Sequence, residues 1–313
     1  MKREINEIQV REEMMWNQRS RALWLKGGDR NTKFFHATTS QRRRKNWIVG
    51  LQNPKGVWQK GNEWIELTIV EYFETIYKSD RPTNFEASLS TITTWVSPDM
   101  NEELLTDFKA EEVWYALKQM HPTKAPGPDG MSPIFFKHYW NIVGPKVVNW
   151  VLSSLNSSRM PCRLNDTYIC LIPKVKSPQK IIEFRLISLC NVVYKLIFKI
   201  LANRLKRVLD AVIDETQSTF VPSKLIIDNV LVAFETMHCI NQRKKGKEVF
   251  MAIKLNMSKA YDGVEWVYLE AMMRKMGFHE MWISLVMMCV TTVSYSMLIN
   301  GEPKGKIIPS RGL

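Results

Sequence analysis

The sequence predicts an α+β fold, and three observations favour this class. Amphipathic helical patterns, as in residues 61–78, are interspersed with short apolar stretches typical of strands, as in residues 168–173. The two kinds of segment do not alternate regularly, as they would in a parallel α/β fold. The chain has 313 residues and 45% hydrophobic content, which is enough for a substantial core. We therefore expect a folded protein of mixed helices and strands.

The first 105 residues are predicted to be mainly helical. Apolar residues at loosely helical spacing indicate a helix over residues 5–25, and a clearer pattern indicates another over residues 61–78. Between them, the turn sequence NPKG at residues 53–56 predicts a hairpin over residues 47–60. The polar residues 79–101 are expected to form a connector.

A loop with a defined shape is predicted at residues 124–130. Its sequence, KAPGPDG, alternates Pro and Gly and contains an Asp suited to turns, so no regular element can accommodate it. Residues 111–120 are expected to form a helix that stops at Pro122, because the residue before a proline disfavours helical geometry. A longer helix is expected over residues 134–156.

The remaining residues are predicted to mix strands and helices. Residues 249–255 form a short, continuous apolar run, which is typical of a strand buried on both faces. Residues 295–309 are expected to form a hairpin about Gly301. The other predicted strands are residues 168–173 and 184–189, and the other predicted helices are residues 192–209, with a basic face, 225–242 and 264–276.

The net charge of +13 and the isoelectric point near 9.5 favour a polyanionic partner. Nucleic acid is favoured over a membrane surface, because no apolar run approaches the length that spans a bilayer. Most of the excess lies in residues 1–60, which hold 14 Lys/Arg and 5 Asp/Glu. This first fifth of the chain is therefore the predicted basic region.

Basic and aromatic side chains are interleaved within this region. Such a pattern suits nucleic acid, since cations follow the phosphates while rings stack on the bases. The alternative is a solvated basic face beside ordinary core aromatics. The candidate nucleic-acid-binding residues are Lys33, Arg42, Arg43, Arg44 and Lys45, which lie among Phe34, Phe35 and Trp47.

The cysteines and the N-terminus point to an intracellular protein. Five cysteines are scattered between positions 162 and 289 without any C-x-x-C pair, so buried free thiols are favoured over a zinc site or a disulfide framework. The first residues, MKREINE, lack the apolar core of a secretory signal. A nuclear location is an expectation that the basic run at residues 42–45 supports weakly.

Several tracts, in this order, resemble the reverse transcriptase of plant non-LTR retrotransposons of the long interspersed element type. Any one of them is weak, but their order is specific, and together they cover nearly the whole chain. The tracts are WLKGGDRNTKFFH at residues 24–36, KAPGPDG at 124–130, LIPK at 171–174 followed by FRLISL at 184–189, QSTFVP at 217–222 with DN at 228–229, and KLNMSKAYDGVEW at 254–266.

The resemblance implies a partial right-hand polymerase, with fingers and the N-terminal part of the palm, preceded by a basic, mainly helical segment. It divides the chain into a basic helical region at residues 1–105, which links to an endonuclease absent here, and a reverse transcriptase domain at residues 106–313. The implied activity is RNA-directed DNA polymerisation with Mg²⁺. The implied partners are an RNA template and a DNA primer or target, with no membrane.

The resemblance also assigns roles to single residues. Lys174 and Arg185 are similar to the fingers cations that hold the incoming triphosphate, and a surface charge is the plainer alternative. Tyr261 is similar to the residue under the nucleotide sugar, with a core tyrosine as the alternative. Gln217 and Lys224 are expected to approach the template.

Asn256 stands where the family motif L-D-M-S-K-A-Y-D has its first metal-binding Asp. Nucleotidyl transfer uses two divalent ions held by converging carboxylates, and an amide oxygen lends such ions no negative charge. The chain has no Asp-Asp dipeptide and ends at Leu313, before the family's Asp-Asp turn. We therefore expect no intact metal site and no catalysis in this form.

Asp262 is the nearest acid to Asn256, and its expected role is structural. It lies six positions further on, and we expect it to cap the helix that begins at Val264. Two alternatives to the reverse transcriptase homologue stay open, namely a non-catalytic nucleic-acid-binding protein and a remnant of a decayed element.

Overall fold

The computed structural model combines helices with a small sheet, as the sequence predicts. It describes residues 2–20, 32–214, 216–218, 221, 224–242, 250–255, 257 and 259–313. No helix within these described ranges is long and apolar enough to cross a membrane.

Twelve α-helices occur in the described part of the chain. They are α1 (Lys2–Ser20), α2 (Thr32–Asn46), α3 (Asn62–Tyr77), α4 (Glu86–Leu89), α5 (Pro98–Leu105), α6 (Ala110–Gln119), α7 (Pro133–His138), α8 (Trp140–Ser157), α9 (Val192–Val212), α10 (Ile226–Gln242), α11 (Trp266–Met276) and α12 (Glu280–Thr291).

The strands form a hairpin and a four-stranded sheet. Strands β1 (Gly50–Gln52) and β2 (Trp58–Lys60) pair antiparallel around the predicted NPKG turn. The sheet has the order β4-β3-β5-β6, with β3 parallel to β5 and the outer pairs antiparallel. Its strands are β3 (Asp166–Pro173), β4 (Phe184–Cys190), β5 (Ser294–Ile299) and β6 (Glu302–Ile307).

One hydrophobic core is helical and centres on α9. This helix buries residues spaced by four, from Val192 through Leu196 to Val208, so one face is continuously covered. Helices α5, α6, α8, α11 and α12 supply the surrounding side chains, including the fully buried Trp282. Trp282 belongs to α12, a helix rich in Met. Most of α12 is thus part of the core, although Met281 is exposed.

A second core lies between α3 and the four-stranded sheet. Ile69 and Phe73 of α3 pack with Ile169 of β3 and Met297 of β5, all nearly inaccessible to solvent. Residues on both sides of position 105 contribute to each core, so the region before position 105 is packed together with the region after it.

Three predicted elements differ in the structure. The connector expected over residues 79–101 contains the short helix α4 and the start of α5. The helix expected over residues 134–156 is divided into α7 and α8 at Tyr139, whose ψ of 24° departs from helical geometry. The strand expected over residues 249–255 is wrong for residues 250–255, which have no strand pairing and expose Ile253 and Leu255 at 68% and 84%. An apolar run becomes a strand only when a neighbouring strand pairs with its backbone, and none does among the described residues.

Candidate nucleotide and nucleic-acid site

The β3–β4 pair positions the two predicted fingers cations. Arg185 lies opposite Ile172 in the antiparallel register, and Lys174 follows two residues after Ile172. Because side chains alternate between the faces of a strand, Lys174 and Arg185 lie on the same face of this pair. Both are exposed, as a phosphate-binding cation must be.

Hydrogen bonds hold Lys174 at the end of the strand. Its backbone N–H donates to the Glu183 carbonyl at 2.7 Å, and its Nζ donates to the Ile182 carbonyl at 2.9 Å. The Glu183 carboxylate in turn accepts the N–H groups of Gln179 and Lys180 at 2.6 and 3.1 Å. The local backbone therefore fixes where the Lys174 ammonium emerges.

A tight turn at residues 259–263 carries the next group of candidate side chains. Lys259 has a φ of 53°, and its carbonyl accepts the Gly263 N–H at 3.2 Å. The Tyr261 carbonyl accepts N–H groups from Val264 at 3.3 Å and Leu313 at 3.0 Å. A left-handed conformation is unfavourable for a lysine, so the surrounding packing has to stabilise it.

The Lys259 ammonium packs against aromatic rings of α3. Its Nζ lies 4.2 Å from the centre of the Tyr72 ring and 5.1 Å from that of Phe73, both within cation–π distance. Burial lowers the pKa of Lys259 to about 8, while Asp262 acts to raise this pKa and Lys174 acts to lower it further. Lys174 is thus close enough for the two ammonium groups to repel each other.

Sequence analysis missed Lys259 as a functional candidate. It lies two residues before Tyr261, in the same tract that carries the resemblance. Its position in that motif is the one feature of the sequence that could have identified it as a candidate. The contact with α3 depends on residues nearly 190 positions away in the chain, which local patterns do not reveal. Tyr261 itself is exposed at 59% and is not a core tyrosine.

Asp262 faces Tyr77 of α3 and is not the predicted helix cap. Its Oδ1 lies 3.4 Å from the Tyr77 hydroxyl, a long contact in which the hydroxyl donates. Helix α11 begins at Trp266, with Glu265 in the N-cap position. The prediction that Asp262 caps this helix is wrong, because the turn that begins at Lys259 directs this carboxylate toward α3. Burial raises the pKa of Asp262, and Lys259 acts to lower it.

The last residues of the chain brace this turn. Arg311 donates from Nε to the Ile76 carbonyl at 2.7 Å and pairs through Nη1 with Asp80 and Glu265 at 3.0 and 3.3 Å. The Trp266 indole donates to the Gly312 carbonyl at 2.7 Å. These contacts fix Tyr261 and its neighbours relative to α3.

The Pro-Gly loop at residues 124–130 packs on the start of α9. The Asp129 N–H donates to the Asn191 side chain at 3.2 Å, and the amide of Asn191 donates to the Leu164 carbonyl at 2.9 Å. A Cβ on Gly127 would lie 2.4 Å from the Asn191 nitrogen, so only glycine permits this approach. The loop predicted from the sequence is confirmed in shape and held by Asn191.

The predicted nucleic-acid-binding residues fall into two separate groups. Lys33 and the run from Arg42 to Lys45 are exposed on α2, with the run in its last turns. Gln217 and Lys224 lie near Asp214, whose pKa is lowered first by hydrogen bonds from Thr216 and further by Lys224. Asn256 lies outside the described residues.

The described residues do not fit the family's Mg²⁺ ions. No group of three His, Cys, Asp or Glu side chains able to hold a metal occurs among them. Asp262 faces the Tyr77 hydroxyl and the Lys259 ammonium instead of a second carboxylate. Two hard divalent ions need several converging oxygens, so no catalytic step through a metal follows from this arrangement.

The chain is similar in sequence to known proteins. Residues 172–313 match the sequence model of the family "Reverse transcriptase (RNA-dependent DNA polymerase)". The chain is similar to the transposon TX1 uncharacterized 149 kDa protein of Xenopus laevis, with 26% identity over 297 residues, covering 94% of this chain and 22% of that protein.

A second relative is the retrovirus-related Pol polyprotein from type-2 retrotransposable element R2DM of Drosophila melanogaster. The identity is 23% over 219 residues, which cover 68% of this chain and 20% of that protein. The chain thus spans about a fifth of the length of the curated relatives that it matches.

Residues 172–313 are therefore similar in sequence to reverse transcriptases, a class of polymerases that copy RNA. More particularly, the chain is a homologue of the reverse transcriptases of non-LTR retrotransposons, and the resemblance that its motifs predicted is confirmed at this level.

Proposed function

We propose that this chain is a reverse transcriptase homologue that binds nucleic acid and the triphosphate of a nucleotide but does not catalyse nucleotide transfer. The observation that carries the proposal is a group of three cations, namely the exposed Lys174 and Arg185 at the β3–β4 pair and the Lys259 ammonium, whose charge interacts with that of Lys174. Asp262 compensates only part of this positive charge, and a bound polyanion would offset the remaining repulsion.

The neighbouring residues suit the same ligand. Arg185 shares a strand-pair face with Lys174, and its forked guanidinium can bind two phosphate oxygens at once. Tyr261 is exposed in the turn beside Lys259, where a nucleotide sugar could lie against its ring. In this arrangement Lys174, Lys259 and Arg185 hold the phosphates, and Tyr261 contacts the sugar.

The absence of catalysis rests on Asn256. An amide at the position of a metal-binding carboxylate removes a negative charge from the shell around Mg²⁺, and losing one preorganised electrostatic contact of this kind slows enzymes by roughly a hundredfold or more. Binding without turnover is therefore the activity that these residues support.

The nucleic acid is an RNA template with a DNA primer or target. The net charge of +13 and the exposed cations of α2 support such a polyanion. Gln217 and Lys224 are further template-contacting residues by resemblance. A nuclear location and a plant element as the source complete the proposal, and both rest on the sequence alone.

Triphosphate binding is tested by the fluorescence anisotropy of a labelled deoxynucleoside triphosphate at pH 7. Lys259→Met should weaken binding about tenfold, since a charged hydrogen bond is lost, whereas Lys259→Arg should keep most of the affinity. The matched control is Lys118→Met, because Lys118 also lies over an aromatic ring, 5.1 Å from the centre of Trp114, but on α6. Equal affinity of Lys259→Met and the unaltered chain would overturn this assignment.

Two further measurements complete the test. Affinity for the triphosphate should fall as the pH rises through about 8, where Lys259 loses its proton, and this step should be missing in Lys259→Met. Primer extension on an RNA template with Mg²⁺ or Mn²⁺ should give no product. Template-dependent incorporation would contradict the non-catalytic part of the proposal.

A further inference from the structure

A cavity of about 330 Å³ lies between the end of helix α2 and the four-stranded sheet. Its volume is at the lower end of the range for small-molecule pockets. Arg43, Asn46 and Trp47 line one side, and Cys170 and Leu298 line another. None of the residues assigned to triphosphate binding lines it.

The mouth of the cavity carries an exposed aromatic ring beside a cation. Trp47 is 46% exposed although it is a large aromatic residue, and the Arg43 guanidinium lies 5.9 Å from the centre of its ring. Arg43 belongs to the exposed run from Arg42 to Lys45 in the last turns of α2. A flat ring with a cation over it is the combination that stacks on an unpaired base.

The wall opposite Trp47 is apolar and belongs to the sheet. Cys170 of β3 and Leu298 of β5 are neighbours in the parallel register. Their side chains lie on the face opposite to Ile169 and Met297, which fill the second core, because side chains alternate along a strand. The cavity therefore combines an apolar floor with a cationic mouth.

The mouth is fixed to the sheet by a pair of hydrogen bonds. The Ile48 N–H donates to Asn300 Oδ1 at 2.8 Å, and Asn300 Nδ2 donates to the Ile48 carbonyl at 3.1 Å. These two residues are 252 positions apart, and Ile48 is itself buried. The backbone next to Trp47 is therefore held in place before any ligand binds, which reduces the entropy lost on binding.

We propose that this cavity receives one unpaired base of a single-stranded nucleic acid. The base stacks on the Trp47 ring with the Arg43 guanidinium beside it, and Arg42, Arg44 and Lys45 contact the adjoining phosphates. A flat aromatic group with apolar faces, attached to phosphates, is the ligand that fits an apolar floor, an aromatic wall and a cationic rim together. The inference deepens the proposed nucleic-acid binding by naming where the strand is held and which part of it enters the fold.

The test is the affinity of the full chain for a 12-nucleotide single-stranded RNA over a range of salt concentrations. Trp47→Ala should weaken binding about tenfold without changing the dependence on salt, since stacking releases no counterion. Arg42→Ala should flatten the logarithmic salt dependence by about 0.7, the value for one phosphate contact with a single strand. Trp47→Phe, which keeps a ring, should recover most of the affinity.

The matched control is Trp150→Ala, since Trp150 is an exposed tryptophan on α8. It should bind like the unaltered chain. The Trp47 effect should vanish on a blunt RNA duplex, whose bases are already stacked. If Trp47→Ala loses affinity for RNA and DNA single strands alike, the cavity binds unpaired bases in general. If it loses affinity for RNA alone, the cavity binds the strand that is copied.

Two results separate this inference from the proposed function. If the unaltered chain binds RNA with a steep salt dependence but Trp47→Ala binds equally well, the cavity assignment is wrong and the wider proposal stands. If the unaltered chain shows no salt-dependent binding, the proposed nucleic-acid function itself fails. Circular dichroism of Trp47→Ala and Trp47→Phe shows whether each variant is folded.

Discussion

Helices α9 and α10 have similar apolar content in their sequences, but α9 is buried among other helices whereas α10 is exposed to solvent. Leu196 and Ile197 of α9 are inaccessible to solvent, whereas Val230 and Phe234 of α10 are exposed at 61% and 66%. Helices α5, α6, α8 and α12 pack against α9. The described part of the chain gives α10 no such cover. An amphipathic pattern therefore predicts a helix correctly in both places, but it predicts burial only where a partner surface exists.

The same comparison holds for charge, because α9 also buries a cation. Arg204 continues the buried row of Val192, Leu196 and Val208 at intervals of four, and it is only 2% exposed. Its guanidinium pairs with the Glu112 carboxylate through two hydrogen bonds of 2.8 Å. The carbonyls of Leu104, Thr106 and Asp107 accept its remaining N–H groups.

The largest expected effect comes from removing this buried cation. Arg204→Ala should lower the free energy of unfolding by about 3–5 kcal/mol, because Glu112 and three carbonyls lose their partner in a buried place. Burial alone would raise the pKa of Glu112, but hydrogen bonds from Arg204 and from the Lys109 N–H, together with the charges of Arg204 and Arg207, outweigh burial and lower this pKa. Urea denaturation at pH 7 measures the change.

The control for this variant is Arg207→Ala. Arg207 lies one turn away and pairs with Glu103 at 3.5 Å, but its side chain is 55% exposed. An exposed pair of this kind contributes about 0–1 kcal/mol. A loss for Arg204→Ala as small as that for Arg207→Ala would show that the network does not hold α9 to α5 and α6.

A matched pair of leucines tests the apolar side of the comparison. Leu196→Ala should cost about 2–5 kcal/mol, since it opens a cavity in a fully buried site. Leu231→Ala on α10 should cost about 0.5 kcal/mol or less, because Leu231 is already 56% exposed. Both substitutions place the same residue in a helix, so propensity cancels. Equal losses in urea denaturation would mean that α10 is buried in solution.

Local chemistry accounts for the elements that the sequence predicted well. The helix α3, the β1–β2 hairpin and the loop at residues 124–130 follow from periodicity and from Pro and Gly positions, which act within a few residues. Arg204 lies at the same four-residue spacing as the buried apolar residues of α9, so this spacing could also have predicted its burial. The sequence pattern instead led us to expect a basic face on this helix.

Long-range contacts account for what was missed. The strand expected at residues 249–255 needs a partner strand, and the role of Asp262 depends on Tyr77, 185 positions away. Lys259 became a candidate only in the structure, because α3 places the Tyr72 ring next to its ammonium group. The family and its motifs could be predicted from the sequence, but the contacts between distant segments that build the site could not.

Lys259 lies at the boundary between the exposed residues 250–255 and the packed turn. Its titration should have the smallest of the predicted effects on the free energy of unfolding. Its pKa in the folded protein is about 8, against 10.5 for an unperturbed lysine. Between these two values the unfolded chain binds more protons than the folded one, so stability rises with pH. Lys259→Met lacks this rise, and the difference should amount to about 1 kcal/mol or less because the group is partly screened by water.

Urea denaturation of both chains from pH 7 to 9.5 measures that difference, and the tyrosines and cysteines that titrate in this range cancel because both chains carry them. The unaltered chain should gain stability relative to Lys259→Met as the pH rises past 8, and Lys118→Met should follow the unaltered chain. A constant difference across this range would mean that the Lys259 ammonium is solvated like those of the exposed region. In that case Lys174 and Lys259 would not form one cationic site, and the boundary between packed and exposed segments would lie after residue 259.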